Sequence, residues 1–368
     1  PHVKIDLTQF PYQEMYDKLV TTLQAGSGAP DIADLEISQT GRFFKGKVQL
    51  VPLDDYLADL KDQLITSAAL APWSWQGKTY AVSNELNPVF MYLRWDLFKE
   101  AGLEEEIPTW DDFVEMGKEY VKATGKKFIA IPDQHWAYWW IIASAAGGGF
   151  FDAEGNFIAD NEIGLEVLQF LQDLIYKHEI AMLAPGGNPW NPAYTAAMSA
   201  GEFATQPGAP WYQSVIKGNA ADTAGKWHVT RLPLWKGQGS PTTSFGGTAM
   251  SITKQSKDPD AAWEFIRFLN FDTQMAVDAF KIAGLYPTYK PALGDPALQE
   301  PDPFFDNQSV GTLIAELAKA LPPLYMSPFW PEITDAMNNQ VLPPVLGNRM
   351  TPEEGMKTLR EEAQRIMG

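Results

Sequence analysis

The feature that most constrains this fold is that strand-like and helix-like apolar patterns follow each other along the chain. Residues 3–7 alternate between apolar and polar side chains, which predicts a strand. Residues 15–23 carry apolar side chains at helical spacing and stop at the glycines of 26–28, which predicts a helix. The apolar run 32–37 predicts a second, buried strand. This order predicts a βαβ unit, the building block of a parallel sheet.

The same alternation continues to the end of the chain. Residues that cap helices, Thr109, Asn161, Asp258 and Thr351, each precede a stretch with one apolar face. A length of 368 residues suggests about two domains. We therefore expect an α/β protein with more than one sheet, whose later strands include 128–131, 228–232 and 250–252.

The charge balance excludes several classes of partner. Lys and Arg total 28 against 46 Asp and Glu, a net charge of −18, so the phosphates of a nucleic acid would be repelled. The same charge disfavours docking on an anionic membrane. The chain has no cysteine, which removes disulfides, thiolate nucleophiles and Cys-based zinc sites. We predict a protein without a cofactor and without nucleic-acid partners.

One stretch, 134–151, lacks charged residues and approaches the length of a membrane span. It contains polar residues and the glycines 147–149, so we interpret it as a buried helix that leads into a glycine turn. The chain opens on Pro1-His2-Val3 with no signal peptide, and we expect a mature, processed or truncated form.

No catalytic motif is recognisable. Residues 77–79 read Gly-Lys-Thr, but Pro72 occupies the position where a phosphate-binding loop has its first glycine. The four histidines have no partner at metal-ligand spacing, so no metal site is predicted. Paired carboxylates at 54–55 and 111–112 lie at predicted helix starts, where the helix dipole explains them. A glycosidase built from two distant carboxylates stays open as an alternative.

Aromatic and short polar side chains cluster at predicted strand ends and turns. In open α/β sheets, ligands bind beyond the carboxyl ends of the strands. Lys and Arg are scarce at these points, which disfavours a phosphate or carboxylate ligand. We expect a site for a neutral, hydroxyl-rich ligand from Glu36, Ser38, Gln39, Glu85, His135, Trp136, Tyr138, Trp139, Trp190, Trp211, Tyr212, Gly246, Gly247, Tyr286 and Trp330.

The aromatic candidates compete with packing in the core. Trp211 and Trp330 lie beside prolines in predicted loops, which favours a role as stacking platforms. Trp136, Tyr138 and Trp139 fall within one predicted helix, so at least one of them must belong to the core.

The polar candidates have structural alternatives as well. His135 suits a neutral hydrogen-bond donor better than a metal ligand. Glu36 can bind a hydroxyl or cap the next helix, and Glu85 can bind ligand or form a hydrogen bond at a hinge. Gly246 and Gly247 permit close approach of the backbone or form a turn.

Several motifs, taken in order, make the chain resemble a known family. The sequence resembles the extracellular solute-binding proteins of carbohydrate ABC importers, a family that includes maltose-binding protein. The resemblance covers almost the whole chain and is carried by segments 23–32 (LQAGSGAPDI), 51–57 (VPLDDYL), 77–82 (GKTYAV), 92–102 with 108–111, 254–270 and 326–330 (MSPFW).

This resemblance implies a two-lobed periplasmic-binding-protein fold of type II-like topology, in the α/β class. Its lobes are interleaved and joined by hinge crossings. We expect lobe one to comprise residues 1–86 plus 251–290, and lobe two 87–250 plus 291–368. From the resemblance, we expect the family's first strand and helix to be missing from this chain.

The resemblance also implies a function. We expect a non-catalytic, monomeric component of an importer that closes on a di- or oligosaccharide and passes it to an ABC permease. It would work outside the cytoplasm, either in the periplasm or as a lipoprotein on a Gram-positive cell surface. A polyol or a glycerophosphodiester is the alternative ligand, and a sensory or adhesion ectodomain is a further alternative.

Overall fold

The chain forms a mixture of helices and sheets in a computed structural model that describes residues 4–65 and 69–368. The helices are α1 Tyr12–Ala25, α2 Trp95–Ala101, α3 Trp110–Thr124, α4 Ala137–Ala145, α5 Glu162–Tyr176, α6 Pro192–Ser199, α7 Tyr212–Asn219, α8 Pro259–Phe271, α9 Thr273–Ala283, α10 Val310–Leu317, α11 Trp330–Ala336, α12 Leu342–Leu346 and α13 Pro352–Met367. The strands are β1 Ile32–Glu36, β2 Ser74–Trp75, β3 Lys78–Thr79, β4 Ala81–Val82, β5 Glu85–Leu86, β6 Phe90–Arg94, β7 Lys127–Ile131, β8 Ala181–Leu183, β9 Phe203–Gly208, β10 Trp227–Thr230, β11 Thr248–Ile252 and β12 Tyr286–Pro287.

Two sheets organise these elements. The larger has the strand order β10-β6-β9-β7-β8, in which β7 lies parallel to both β8 and β9. The smaller has the order β1-β11-β4 and is antiparallel. The pairs β12–β5 and β2–β3 are short and antiparallel. The prediction of an α/β chain with more than one sheet is confirmed.

The predicted helix starts are also confirmed. The side chains of Thr109, Asn161, Asp258 and Thr351 each accept a hydrogen bond from a backbone N–H in the first turn of α3, α5, α8 and α13. Thr109 and Thr351 complete reciprocal capping boxes, with Asp112 and Glu354 as the partner residues. Such caps satisfy backbone donors that have no partner within the helix, which fixes where each helix begins.

The strand predicted at the start of the chain is wrong. Residues 4–10 have no regular secondary structure, Ile5 and Leu7 are exposed, and Val3 lies outside the described residues. Alternation produces a strand only where a neighbouring strand completes its hydrogen bonds. The neighbour of β1 is the antiparallel β11, so the predicted parallel unit is wrong here, although its helix and second strand are confirmed as α1 and β1.

The apolar stretch 134–151 forms a buried helix, as predicted. Every residue of α4 is buried, and the helix leads into the glycines at 147–149. Uniform burial is typical of a helix that is apolar all round. Among residues 4–65 and 69–368, no helix is both long and apolar enough to cross a membrane.

Two adjacent chain segments run between the larger and the smaller sheet, and we call them the crossing segments. Residues 85–90 lead from β5 into β6, and residues 243–248 lead into β11. The backbone N–H of Val89 donates to Thr243 O at 2.7 Å, and that of Phe245 donates to Asn87 O at 3.2 Å. β12 pairs with β5 and adds a short strand at this junction. The lobe boundaries given above stay a prediction.

Candidate functional site

Four ring side chains form a continuous surface that we call the aromatic wall: His135, Trp190, Trp211 and Phe245. The ring centroid of Trp190 lies 5.3 Å from that of Trp211 and 5.6 Å from that of His135. The rings of Trp190 and Phe245 are nearly parallel, with an interplanar angle of 11°. Trp190 is 40% exposed and presents an aromatic face to solvent, whereas Phe245 is buried behind it.

The sheet explains why these residues meet. His135 follows β7, Trp190 follows β8 and Trp211 follows β9. These three strands are adjacent and parallel, so their carboxyl ends lie at one edge of the sheet. The loops that leave this edge therefore carry the rings to the same place, as the rule for open α/β sheets predicts.

His135 belongs to the wall as a neutral imidazole. Burial lowers the pKa of His135 to about 4, because the charged form loses its hydration. Its Nδ1 atom accepts the backbone N–H of Ala137 at 3.2 Å, so Nε2 carries the proton. An uncharged N–H donor of this kind suits a hydroxyl acceptor.

A second group lies at the carboxyl end of β1, and we call it the Glu36 cluster: Tyr12, Glu36, Ser38 and Gln39. Glu36 Oε2 accepts the hydroxyl of Tyr12 at 2.7 Å, the backbone N–H of Ser38 at 3.0 Å and the hydroxyl of Ser38. The backbone N–H of Glu36 donates to the hydroxyl of Tyr16 at 2.7 Å. Burial raises the pKa of Glu36, and the donors on Oε2 oppose that change. Both alternatives predicted for Glu36 remain open, because it caps the 3₁₀ helix Ile37–Phe43 and no described residue donates a hydrogen bond to its Oε1.

Gly246 and Gly247 join the two groups. A β-carbon on Gly246 would lie 3.0 Å from Trp211 Nε1, so the indole of Trp211 packs directly on this backbone. The same Nε1 donates to Phe245 O at 3.2 Å. On the other side, Gly247 O accepts the backbone N–H of Ile37, next to Glu36, at 2.9 Å. Close approach of the backbone, one of the two roles predicted for these glycines, therefore occurs at Gly246.

Glu85 is buried between the crossing segments. Its Oε1 accepts the backbone N–H of Thr248 at 2.8 Å and the Thr248 hydroxyl at 3.2 Å. Neither Glu85 Oε2 nor Asn87 Oδ1 has a hydrogen-bond partner among the described residues, and both atoms are buried. Burial raises the pKa of Glu85 to about 7. This geometry favours the hinge role over direct ligand contact for Glu85.

Five predicted aromatic residues lie in the core, and the structure gives each a packing role. Their exposure is 3% or less for Tyr138, Trp139, Tyr212, Tyr286 and Trp330. The Tyr138 hydroxyl donates to Gln206 Oε1 at 2.7 Å, and Trp139 Nε1 donates to Gly164 O at 2.9 Å. Trp136 is also buried, and its ring packs edge to face on Phe245 and on Trp330. Whether any of these rings contacts a ligand stays a prediction.

The predicted loop position of Trp330 is wrong, because this residue begins helix α11. Pro331 lies in the first turn of that helix, where a proline is well tolerated because the N–H it lacks has no helical partner. A proline beside a tryptophan therefore marked a helix start here. The ring of Trp330 packs edge to face on Trp136, Trp140 and Phe150.

Two residues of the site were missing from the predicted set. Tyr12 stands one helical turn before Tyr16, and this spacing places both on the face of α1 that meets Glu36. Phe245 directly precedes the predicted glycines. The helical spacing was a usable signal for Tyr12, whereas the position of Phe245 depends on tertiary contacts that the sequence does not display.

The chemistry of the two groups suits an uncharged ligand. Aromatic faces pack against the C–H faces of sugar rings, and carboxylate, amide and hydroxyl groups bind hydroxyls. Within the part of the chain that the structure describes, no Lys or Arg forms a hydrogen bond or ion pair with the aromatic wall or the Glu36 cluster, and no group of three or more His, Asp or Glu could hold a metal ion.

Comparison with known proteins agrees with this architecture. Residues 1–276 match the family described as bacterial extracellular solute-binding protein. The arabinooligosaccharide-binding protein of Halalkalibacterium halodurans is 31% identical over 99% of this chain and 83% of its own length. The protein of the same description from Bacillus subtilis is 28% identical over 96% of this chain and 83% of its own length.

Solved structures share the fold as well. The GacH receptor of Streptomyces glaucescens, whose structures include an unliganded form and a complex with acarbose, superposes with a TM-score of 0.82. The match covers 97% of this chain and 88% of that one at 19% identity, which shows the two-lobed fold. The family match spans three quarters of the chain and agrees with the resemblance that the motifs indicated. The chain belongs to the bacterial extracellular solute-binding protein family.

Proposed function

We propose that this chain captures a neutral di- or oligosaccharide between its two lobes and presents it to an ABC permease in the membrane. The observation that carries the proposal is the aromatic wall, joined through Gly246 and Gly247 to the Glu36 cluster. Among the described residues, no basic side chain is bonded to either group. A ring platform beside hydroxyl-binding groups is the combination that a sugar requires.

The names of the relatives support an oligosaccharide as the ligand class. Two relatives are described as arabinooligosaccharide-binding proteins, and a third, at 24% identity, as a lactose-binding protein from Rhizobium radiobacter. We propose a short arabino-oligosaccharide as the first ligand to test. A glycerophosphodiester is disfavoured, because its phosphate would meet the carboxylate of Glu36 without a basic partner.

Capture works by a shift in population and needs no chemical step. A ligand that touches both lobes binds the closed arrangement more tightly than the open one, so it stabilises closure. We propose lobe one as residues 1–86 plus 251–290 and lobe two as 87–250 plus 291–368, with Glu36 and Trp211 on opposite lobes. The permease then distinguishes the closed, loaded protein from the open one.

The place of action follows from the family. An extracellular solute-binding protein works outside the cytoplasm, and we propose a monomer, held at the surface by a lipid anchor or free in the periplasm. The permease supplies the transport step, so the chain itself needs neither a metal ion nor a cofactor.

Isothermal titration calorimetry tests this proposal. We expect one binding site for arabinotriose or a related neutral oligosaccharide, and no heat from glycerophosphocholine. At 100 times the dissociation constant, the ligand should add about 2.7 kcal/mol to the free energy of unfolding. The proposal fails if only the phosphodiester binds.

Recovery of the ligand tests the absence of chemistry. After prolonged incubation, chromatography of the oligosaccharide should show the original chain length. Hydrolysis that persists after purification and is lost in Glu36→Gln would support the glycosidase alternative instead.

A further inference from the structure

Tyr12 begins α1 and reaches from that helix to the carboxylate of Glu36 at the end of β1. Its hydroxyl donates to Glu36 Oε2 at 2.7 Å and lies 3.3 Å from the hydroxyl of Ser38. Its ring is 51% exposed and meets the ring of Tyr16 edge to face, with a centroid distance of 5.1 Å. The tyrosine is therefore reachable by solvent while its hydroxyl is held in place.

Two tyrosines on one face of α1 form hydrogen bonds with Glu36, one with its backbone and one with its side chain. The Tyr16 hydroxyl accepts the backbone N–H of Glu36, and the Tyr12 hydroxyl donates to its side chain. Tyr16 is almost fully buried, so it anchors the backbone to α1. Tyr12 lies one turn earlier in α1 and contacts the side chain of Glu36 instead of its backbone.

The donors leave one carboxylate oxygen for a ligand. Oε2 accepts bonds from Tyr12 and from both the N–H and the hydroxyl of Ser38. Among the described residues, none donates a hydrogen bond to Oε1. An oxygen that already has three donors has little capacity for another, so a ligand hydroxyl must bind Oε1.

We propose that Tyr12 is a positioning residue that holds the Glu36 carboxylate turned so that Oε1 accepts a ligand hydroxyl. This inference rests on the proposed function, because it concerns the same binding site. A hydrogen bond from a hydroxyl to a charged carboxylate is about twice as strong as one to a neutral group, so the arrangement favours hydroxyl-rich ligands.

The charges around Glu36 determine how the site responds to pH. Asp34 lies on the same face of β1 and disfavours a second negative charge, and Tyr16 and Tyr12 face Glu36 from α1. Thr248, which is uncharged, pairs with Glu36 from β11. Burial raises the pKa of Glu36, and the donor from Tyr12 counteracts it. Loss of that donor should therefore raise the pKa further.

The variant Tyr12→Phe keeps the ring and removes only the hydroxyl. We expect its dissociation constant for the neutral oligosaccharide at pH 7.5 to rise about tenfold, the effect of losing roughly one charge-assisted hydrogen bond. Calorimetry between pH 4.5 and 8 should also show that its affinity declines at a higher pH than in the wild type. A purely structural role would weaken binding without moving this midpoint.

Two further variants sharpen the test. Ser38→Ala removes another donor to the same oxygen and should move the midpoint in the same direction. Tyr176→Phe is the matched control, because the Tyr176 hydroxyl donates to Leu346 O at 2.8 Å, away from the site, and this variant should bind as the wild type does.

The outcomes separate the two proposals. Wild-type protein that binds no neutral sugar contradicts the proposed function, and this inference with it. Sugar binding by the wild type with an unchanged affinity and pH midpoint in both Tyr12→Phe and Ser38→Ala overturns the inference alone.

Discussion

Trp190 is the most exposed ring of the aromatic wall, and the sugar proposal makes it a contact residue. Its side chain follows β8 on a surface loop and packs on Trp211 and Phe245. We expect Trp190→Ala to weaken oligosaccharide binding about tenfold, or about 1.4 kcal/mol, because a stacking face is lost. Calorimetry on the folded variant measures this change.

Trp235→Ala provides the control for that substitution. Trp235 is half-buried and packs edge to face on Phe170, with a centroid distance of 5.3 Å, outside the aromatic wall. Its removal should lower the melting temperature without changing affinity. Equal loss of affinity in both variants would show that Trp190 acts only through stability.

At the scale of elements, Glu85 couples stability to pH at the crossing segments. Burial raises the pKa of Glu85 from 4.5 to about 7, so between these pH values the folded chain holds a proton that the unfolded chain releases. The free energy of unfolding should therefore fall as pH rises through this range, by at most about 1.4 kcal/mol per pH unit. Glu85→Gln mimics the protonated acid and should remove this slope.

Urea unfolding at pH 5, 6, 7 and 8 measures the slope. Parallel profiles for the wild type and Glu85→Gln across pH 5 to 8 would contradict the assignment to Glu85.

Local signals in the sequence predicted several of the elements, and tertiary contacts decided the rest. The caps at Thr109 and Thr351 are local chemistry, so the starts of α3 and α13 were readable. The strand expected around Ile5 needed a neighbouring strand, and the burial of Trp330 needed the rings of α4. Neither partner is encoded near the residue that depends on it.

At the site, too, local signals in the sequence predicted some residues and tertiary contacts decided the others. Three members of the aromatic wall or Glu36 cluster, namely His135, Trp190 and Trp211, follow parallel strands, where the general rule for α/β sheets predicts ligand contacts. Tyr12 was missed because its role depends on a helix that packs across β1. Burial decides which of the predicted aromatic residues can contact a ligand, and the periodicity of the sequence alone does not predict burial at each position.

For the whole molecule, capture by two lobes requires a change in shape. The crossing segments are short and are tied together by backbone hydrogen bonds, such as that from Val89 to Thr243, so they can act as a hinge while each sheet keeps its own core. From the scaling of globular domains, a compact protein of 368 residues should have a radius of gyration of about 21 Å. Closure around a ligand must reduce the value for the open form.

Small-angle X-ray scattering with and without a saturating neutral oligosaccharide tests this account most directly. We predict that the radius of gyration falls on saturation, and that glycerophosphocholine at the same concentration leaves it unchanged. Stoichiometric sugar binding with identical scattering curves in both states would contradict capture by lobe closure.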